Sequence, residues 1–282
     1  MNNDISIAII GSINLDIVAN VKKFPQPGET VTNAVVNRFP GGKGANQALA
    51  AHRLGAFVYM VGKIGNDPAA DEALQTLRVE GVDLTYCKPL EGFSTGLAMI
   101  AVNEQGENQI IVAPGANAAF DAEHLEVPHT DASIAQLEVP IETILKAARG
   151  HKNFFCLNAA PAKPVPHELL EHVDLLVVNE IEALALGEEL DGFHGLLAST
   201  YGAKGAVLSQ NGKQVAKASP PKVKVVDTTG AGDAFTAALT VALVSGMEPQ
   251  AALEQACVVG ALATTKLGAQ SSPTRMEVQQ LI

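Results

Sequence analysis

Val225-Val226-Asp227-Thr228-Thr229-Gly230-Ala231-Gly232-Asp233-Ala234-Phe235 reads as the end of a strand, a glycine turn and the start of an apolar helix running to about Val244. A turn of this kind stacks backbone N–H groups at a helix N-terminus, where the first amides lack partners and the dipole is positive, so it suits an anion. Asp233 is a carboxylate set among those amides. It is either an ordinary first-turn helix acid or a base that takes a proton from a nucleophile arriving at a bound phosphate.

Outward from this stretch, apolar runs alternate with helical patterns, the mark of a mostly parallel sheet covered by helices. Strands are predicted at Ile5–Ile10, directly after Met1–Asp4, and at Phe57–Val61, Ser133–Leu137, Phe154–Leu157 and Leu175–Val178. Helices are predicted at Ala45–Leu54, Asp67–Glu80 (an Asp cap with Pro68 at the first position), Ile141–Ala148, Pro166–Glu171, Ala231–Val244, Pro249–Lys266 and Thr274–Ile282. Asn211-Gly212 between Gly205–Ser209 and Gln214–Ala218 predicts a hairpin. Ile17–Val21, Thr30–Asn37 and Thr95–Ala113 alternate with period two. They form either a small antiparallel sheet outside the main layer, a lid over a pocket, or edge strands of the main sheet.

The chain has 282 residues, 47% of them hydrophobic, and a net charge of −11. That length suits one large α/β domain. The acidic balance, without clustered Lys and Arg, argues against nucleic acid. No apolar run reaches spanning length and no targeting pattern stands at the N-terminus, so no membrane association is expected. Cys87, Cys156 and Cys257 are odd in number and widely spaced, which suits free thiols in a reducing cytoplasm. His167 and His172 fall on different helix faces and make no zinc pattern.

Further clusters carry polar chemistry. Gly11-Ser12-Ile13-Asn14-Leu15-Asp16 follows the first strand, and ligands of open α/β sheets bind at strand carboxyl ends. Asn14 and Asp16 point the same way and offer a donor and acceptors for hydroxyls, or they stabilise a turn. Phe39-Pro40-Gly41-Gly42-Lys43-Gly44-Ala45-Asn46-Gln47 opens a helix through glycines but lacks the Walker A spacing. It can bring backbone close to a small ligand, with Lys43 and Asn46 as donors. Gln136-Leu137-Glu138 supplies another carboxylate at a strand end. Asn179-Glu180-Ile181-Glu182 is either a helix cap or a cap that also holds hydrated magnesium. Thr200–Gly205 is a turn able to run past a nucleotide, and Gly268–Ser272 a loop between helices.

Gly-Gly-Lys-Gly-Ala-Asn-Gln near one end and Asp-Thr-Thr-Gly-Ala-Gly-Asp-Ala-Phe near the other are similar to the two signatures of the PfkB carbohydrate kinases. Pro25–Thr32, Gly115-Ala116-Asn117 and Asn158–Ala162 add to the resemblance, which covers nearly the whole chain in order. It implies one domain over 1–282, a doubly wound, mostly parallel α/β sheet with a small antiparallel β-lid. The lid spans about 14–38 and 94–114, closes over a sugar, and meets a second lid in a homodimer. It implies ATP-dependent phosphorylation of the primary 5-hydroxyl of D-ribose, with deoxyribose or a nucleoside as alternative acceptors and a sugar-binding protein without turnover as a further one.

The same resemblance distributes roles. Asp233 is the general base, and the amides of Gly230, Ala231 and Gly232 are the anion hole. Asn14, Asp16, Gly42, Lys43, Asn46 and Glu138 hold the sugar. Asn179, Glu182, Thr200, Gly202, Lys204, Gly205, Gly232 and Cys257 face ATP, with Glu182 linked to Mg2+. A K+ site uses the Asp227 side chain, the carbonyls of Thr229, Ala263, Lys266 and Gly268, and the Ser272 hydroxyl. Two departures stand out. Between Asn179 and Thr200 the chain is short, with one helix visible where a further helix and a full strand are expected. Cys257 stands where the family often has a polar residue.

Overall fold

The computed structural model describes residues 5–281. The lead-in Met1–Asp4 and the final Ile282 lie outside the described residues. Thirteen strands and eight α-helices follow one another among them: β1 (Ser6–Ile10), β2 (Asn14–Asn20), β3 (Val35–Gly41), α1 (Lys43–Arg53), β4 (Phe57–Ile64), α2 (Pro68–Glu80), β5 (Cys87–Pro89), β6 (Gly96–Val102), β7 (Asn108–Ala113), β8 (Ala132–Gln136), α3 (Ile141–Gly150), β9 (Phe154–Asn158), α4 (His167–Leu170), β10 (Leu175–Asn179), α5 (Glu180–Leu186), β11 (Leu196–Thr200), β12 (Ala206–Gln210), β13 (Lys213–Ala218), α6 (Ala231–Val244), α7 (Pro249–Ala263) and α8 (Arg275–Gln279).

Nine strands form the main sheet in the order β13-β12-β11-β10-β9-β8-β1-β4-β5. Every pair from β5 to β11 is parallel, and the Asn211-Gly212 hairpin adds β12 and β13 antiparallel at one edge. One apolar core lies between the sheet and α1, α2, α6 and α7; a second lies on the opposite face with α3 and α4. Strands buried on both faces read as unbroken apolar runs, which is why β1, β9 and β10 are legible in the sequence. From β1 the chain steps one way to β4, and β8 then joins β1 on its other side. That reversal opens a crevice at the carboxyl ends of β1 and β8.

The lid is a separate four-stranded sheet, β3-β2-β6-β7. The β2–β3 and β6–β7 pairs are antiparallel, as expected, while β2–β6 is parallel. The lid reading therefore displaces the edge-strand alternative.

Several boundaries differ from expectation. Val225-Val226 is not a strand. Pro220 and Pro221 after β13 remove ladder donors, and the chain crosses irregularly until Val226 N–H and Asp227 N–H reach the Thr264 carbonyl. Thr30–Ala34 is likewise not a strand, and α1 starts at Lys43. The helix expected to reach Lys266 stops at Ala263, where Thr264 and Thr265 turn their hydroxyls back onto the Ala261 and Leu262 carbonyls. The last helix is α8 alone, capped by Thr274. The strand thought missing before Thr200 is present as β11, pairing with β10 over five residues.

Candidate active site

Gly230 caps α6 at φ 77°, and a Cβ there would lie 2.1 Å from the Ala269 carbonyl oxygen. Only glycine fits such a left-handed, crowded position. The turn so formed starts a helix that is apolar almost all round and buried from Asp233 to Ala242, with Gly232 exposed in its first turn. Ala231 N–H is directed at the Thr228 carbonyl at 3.3 Å, which corrects its place among the free amides of the anion hole. The N–H groups of Gly232 and Asp233 have no backbone partner among the described residues.

Asp233 is buried in the first turn of α6. Both of its oxygens face α1: Asn46 Nδ2 donates to Oδ2 at 2.9 Å, and Gln47 Nε2 donates to Oδ1 at 2.9 Å. The two signature motifs, far apart in the chain, thus meet at one carboxylate. Asn46 Oδ1 is buried and has no partner among the described residues, so it remains an acceptor for a ligand hydroxyl.

A cluster of polar side chains is built at the carboxyl ends of β1 and β8. Asn14 and Asp16 lie on one side of β2 and are buried. Glycines make the space: a Cβ at Gly41 would sit 2.3 Å from Asp16 Oδ2, and one at Gly96 2.2 Å from Asn14 Oδ1. Gly42, at φ 88°, caps α1 against the backbone of Ser12 and Asn14. Glu138 Oε2 accepts from Ser12 Oγ at 2.5 Å and from Lys43 N–H at 3.2 Å. Asn117 Nδ2 donates to Asn14 Oδ1 at 2.8 Å and fixes that amide.

Charge is concentrated here. Burial first, then the nearby Glu138 and Asp233 carboxylates, push the Asp16 carboxyl up to about 7. The field of Asp233 raises the Lys43 ammonium; burial opposes this and Glu138 and Glu182 add to it. Burial also raises Glu182, with Lys43 pulling the other way and Asp233 reinforcing the rise. One lysine therefore sits in the field of three carboxylates, Asp233, Glu138 and Glu182. The grouping expected for Asp233, Asn14, Asp16 and Lys43 is present in one place.

Asn179 ends β10, and Thr200 is its register partner at the end of β11, so the two nucleotide-side segments are neighbours. Asn179 and Glu182 form a complete capping box: Asn179 Oδ1 accepts from the Ile181 and Glu182 amides, and Glu182 accepts from Asn179 N–H at 2.8 Å and Nδ2 at 3.0 Å. Thr200 Oγ1 donates to the Val178 carbonyl at 3.2 Å. Gly202 and Lys204 form an exposed 3-10 turn, and Gly205 turns the chain into β12. Cys257 is buried on α7, and burial pushes its thiol up to about 11.

The two loops implied for a monovalent ion touch. Asp227 accepts from Thr229 N–H and Oγ1 and from Gly268 N–H at 2.9 Å. Burial alone would raise its carboxyl, but these bonds outweigh burial and hold it below the usual range. The carbonyl of Ala263 accepts from Ser271 Oγ at 2.7 Å, so Ser271 rather than Ser272 closes this part of the loop. Ser272 is held instead by Arg53, whose Nη1 donates to its carbonyl at 2.7 Å. The Lys266 side chain faces away, paired with Glu277. A carbonyl-rich pair of loops tied by one carboxylate fits a large monovalent cation. Among the described residues no three His, Cys, Asp or Glu side chains gather as a divalent cluster.

Gln47, Gln136, Asn158, Ser12 and Asn117 are functional-site neighbours that the sequence motifs contain without marking. Their signal was available: polar side chains inside otherwise apolar, buried elements call for partners.

A family model described as pfkB family carbohydrate kinase matches residues 4–275. The chain is 40% identical over 292 residues to a ribokinase of Bacillus subtilis, covering 98% of this chain and 99% of that one. Ribokinase of Thermotoga maritima superposes with a TM-score of 0.89 at 34% identity, with 98% of each chain covered. Arabidopsis thaliana ribokinase complexed with ribose and ATP superposes with a TM-score of 0.88 at 29% identity, again over 98% of each chain. With both signatures assembled on one carboxylate and the match running through the whole sheet, the chain belongs to the pfkB family of carbohydrate kinases and is a phosphotransferase.

Proposed function

We propose that this enzyme transfers the γ-phosphate of ATP to the primary 5-hydroxyl of D-ribose. The carrying observation is the convergence of Asn46 and Asp233, 2.9 Å apart, beside Asp16, Lys43 and Glu138. The relatives that share nearly the full length are ribokinases, one of them complexed with ribose and ATP. A ribose ring carries several hydroxyls, and this crevice supplies matching acceptors and donors: the carboxylates of Asp16 and Glu138, the amides of Asn14 and Asn46, and the Lys43 ammonium. The Gly42 turn lets backbone approach the ring.

Asp233 acts as the general base. A carboxylate has about four lone-pair sites; Asn46 and Gln47 take two, which leaves room for the sugar hydroxyl. As the new O–P bond forms, the hydroxyl proton passes to Asp233 and the bond from the γ-phosphorus to ADP breaks. The Gly232 N–H and its neighbours at the α6 N-terminus donate to the phosphoryl oxygens and stabilise their charge, preorganised by the Gly230 turn. ATP lies along Asn179, Thr200–Gly205 and Cys257. Magnesium on the ATP phosphates, held with Glu182, neutralises phosphate charge when bound. Asp227 and the carbonyls of Thr229, Ala263, Lys266 and Gly268 would hold a potassium ion, which would stiffen the turn without touching sugar.

A second copy docks through the lid. Val35, Ile110 and Val112 on the side of Asn14 and Asp16, and Val36, Met99 and Ile111 on the opposite side, are exposed there, apolar surface that a partner sheet would cover. Three free cysteines suit a reducing cytoplasm.

The test is ADP release with magnesium and potassium across ribose, deoxyribose and nucleosides. Fastest turnover on ribose supports the reading. Fastest turnover on a nucleoside overturns the acceptor, and tight ribose binding without ADP release overturns the enzyme reading.

A further inference from the structure

We infer that Gln47 is the positioning residue of Asp233, aimed by a chain of side-chain amides that ends on a backbone carbonyl. The inference rests on the reading of Asp233 as the base.

The chain begins at Val177 O, which can only accept. Asn158 must therefore turn Nδ2 toward it, at 3.3 Å, and its Oδ1 the other way. That Oδ1 accepts from Gln47 Nε2 at 3.1 Å, so Gln47 must present nitrogen there. The other hydrogen of the same Nε2 reaches Asp233 Oδ1 at 2.9 Å. Gln47 Oε1 then faces Gln136 Nε2, which donates at 2.7 Å. Each amide orientation is dictated by the one before it, and each donor meets an acceptor only in this arrangement.

Gln47 is fully buried, as is Gln136. With no exposed surface of its own and a bond to Asp233 Oδ1, Gln47 is placed to act through Asp233 rather than on substrate. Its bond, with that of Asn46 on the other oxygen, fixes the plane of the carboxylate. The free lone pairs are then directed into the crevice. Catalytic geometry of this kind tolerates errors of only about 0.5 Å. Gln136 Oε1 lies close against Gly11, where a Cβ would come within 2.0 Å, and it has no hydrogen-bond partner among the described residues. The amide chain thus runs from β10 through β9 and α1 to α6, with Gln136 of β8 bracing it from the side. The charged groups around Asp233 are Asp16 of β2, Lys43 at the start of α1, Glu138 after β8 and Glu182 of α5.

The test compares Gln47→Glu, Gln47→Met and Asp233→Asn in the full chain. Gln47→Glu keeps shape but sets an acceptor against Asp233 Oδ1 and Asn158 Oδ1. Its kcat should fall at least about tenfold at pH 7, with KM for ribose within about threefold. The acid limb of its kcat/KM profile should move up by about one unit or more. Gln47→Met removes the donor without adding charge, so it should lose kcat with a smaller move of the limb. It also decides the matter if the Glu variant does not fold. A merely structural role lowers the melting temperature and leaves the limb in place. Parent-like kcat in a folded Met variant, or a loss confined to KM, overturns the inference. Asp233→Asn separates the two readings. If it retains turnover, the base assignment fails; if it is dead while the Gln47 variants are normal, only the role of Gln47 fails.

Discussion

Asn46 of α1 and Asp233 of α6 are joined at 2.9 Å across 187 positions of sequence. The bond closes the crevice between the helix that opens the N-terminal motif and the helix that opens the C-terminal one. On the proposed function it would tie sugar recognition to proton transfer, because the same amide keeps Oδ1 free for a ligand. A sugar seated against Asn46 is therefore already beside the base.

Asp233→Asn should abolish turnover while leaving ribose affinity close to that of the parent. The amide keeps the shape and loses the proton acceptor. Removal of a general base costs roughly 10²–10⁴-fold in kcat. Single-turnover rates and ribose titration by calorimetry check this. A variant with near-normal kcat would sink the assignment.

Asp16 makes the ligand-free protein less stable at neutral pH than in mild acid. Its carboxyl titrates near 3.8 when unfolded and at about 7 when folded. The folded state therefore holds the proton more tightly between those values. The stabilising contribution is full below about pH 4 and is lost as pH rises through 7. Asp16→Asn should raise the melting temperature at pH 8, a gain on the order of a few kcal/mol, and the gain should vanish near pH 4. The same variant should lose ribose binding. Melting curves at pH 4, 6 and 8 without sugar test the sign, and a gain independent of pH contradicts it.

The fold was legible where burial writes an unbroken pattern. Ile7–Ile10 and Leu175–Val178 are strands packed on both faces, and Asp67 with Pro68 announces α2. The lid was readable by alternation, but nothing in Ile17–Val21 or Thr95–Ala113 says that β2 and β6 run parallel, since register and direction depend on the intervening chain. Val225-Val226 misled because β-branched residues favour strands until context intervenes, and here two prolines and the Thr264 carbonyl intervene. Carboxylates of the site stood out as charges in apolar surroundings. Gln47, Gln136 and Asn158 did not, because the value of an amide lies in which partner it faces, and that is decided by folding.

Gly230→Ala should damage both folding and turnover. The residue sits at φ 77°, and a Cβ would press on the Ala269 carbonyl at 2.1 Å. Left-handed strain alone costs about 1–3 kcal/mol, and the clash displaces the loop or the turn. Gly232, with open space around its α-carbon, offers the control. Gly232→Ala should melt close to the parent, so a Gly230→Ala protein that melts with it would remove the steric argument.

Arg53 links α1 to the 268–272 loop behind the turn that opens α6. Its Nε and Nη2 donate to Glu80 at 2.9 and 2.5 Å, and its Nη1 donates to the Gln270 and Ser272 carbonyls at 3.0 and 2.7 Å. Both partners of the ion pair are mostly covered, with 18% and 29% of their side-chain surfaces exposed. Arg53→Met leaves Glu80 without its partner and two loop carbonyls without a donor, a loss of about 1–3 kcal/mol. Arg53→Met with Glu80→Gln should recover part of that stability, since the stranded charge is gone, but not the loop contacts. The 268–272 loop abuts Gly230 through Ala269, so slack there should lower kcat more than it raises KM for ribose, and rising KCl should restore part of the rate if potassium stiffens the same loops. Melting temperature and kcat as a function of KCl, measured on both variants, separate the two effects. Full recovery of kcat in the double variant would show that the loop contacts are dispensable and that Arg53 serves only to neutralise Glu80.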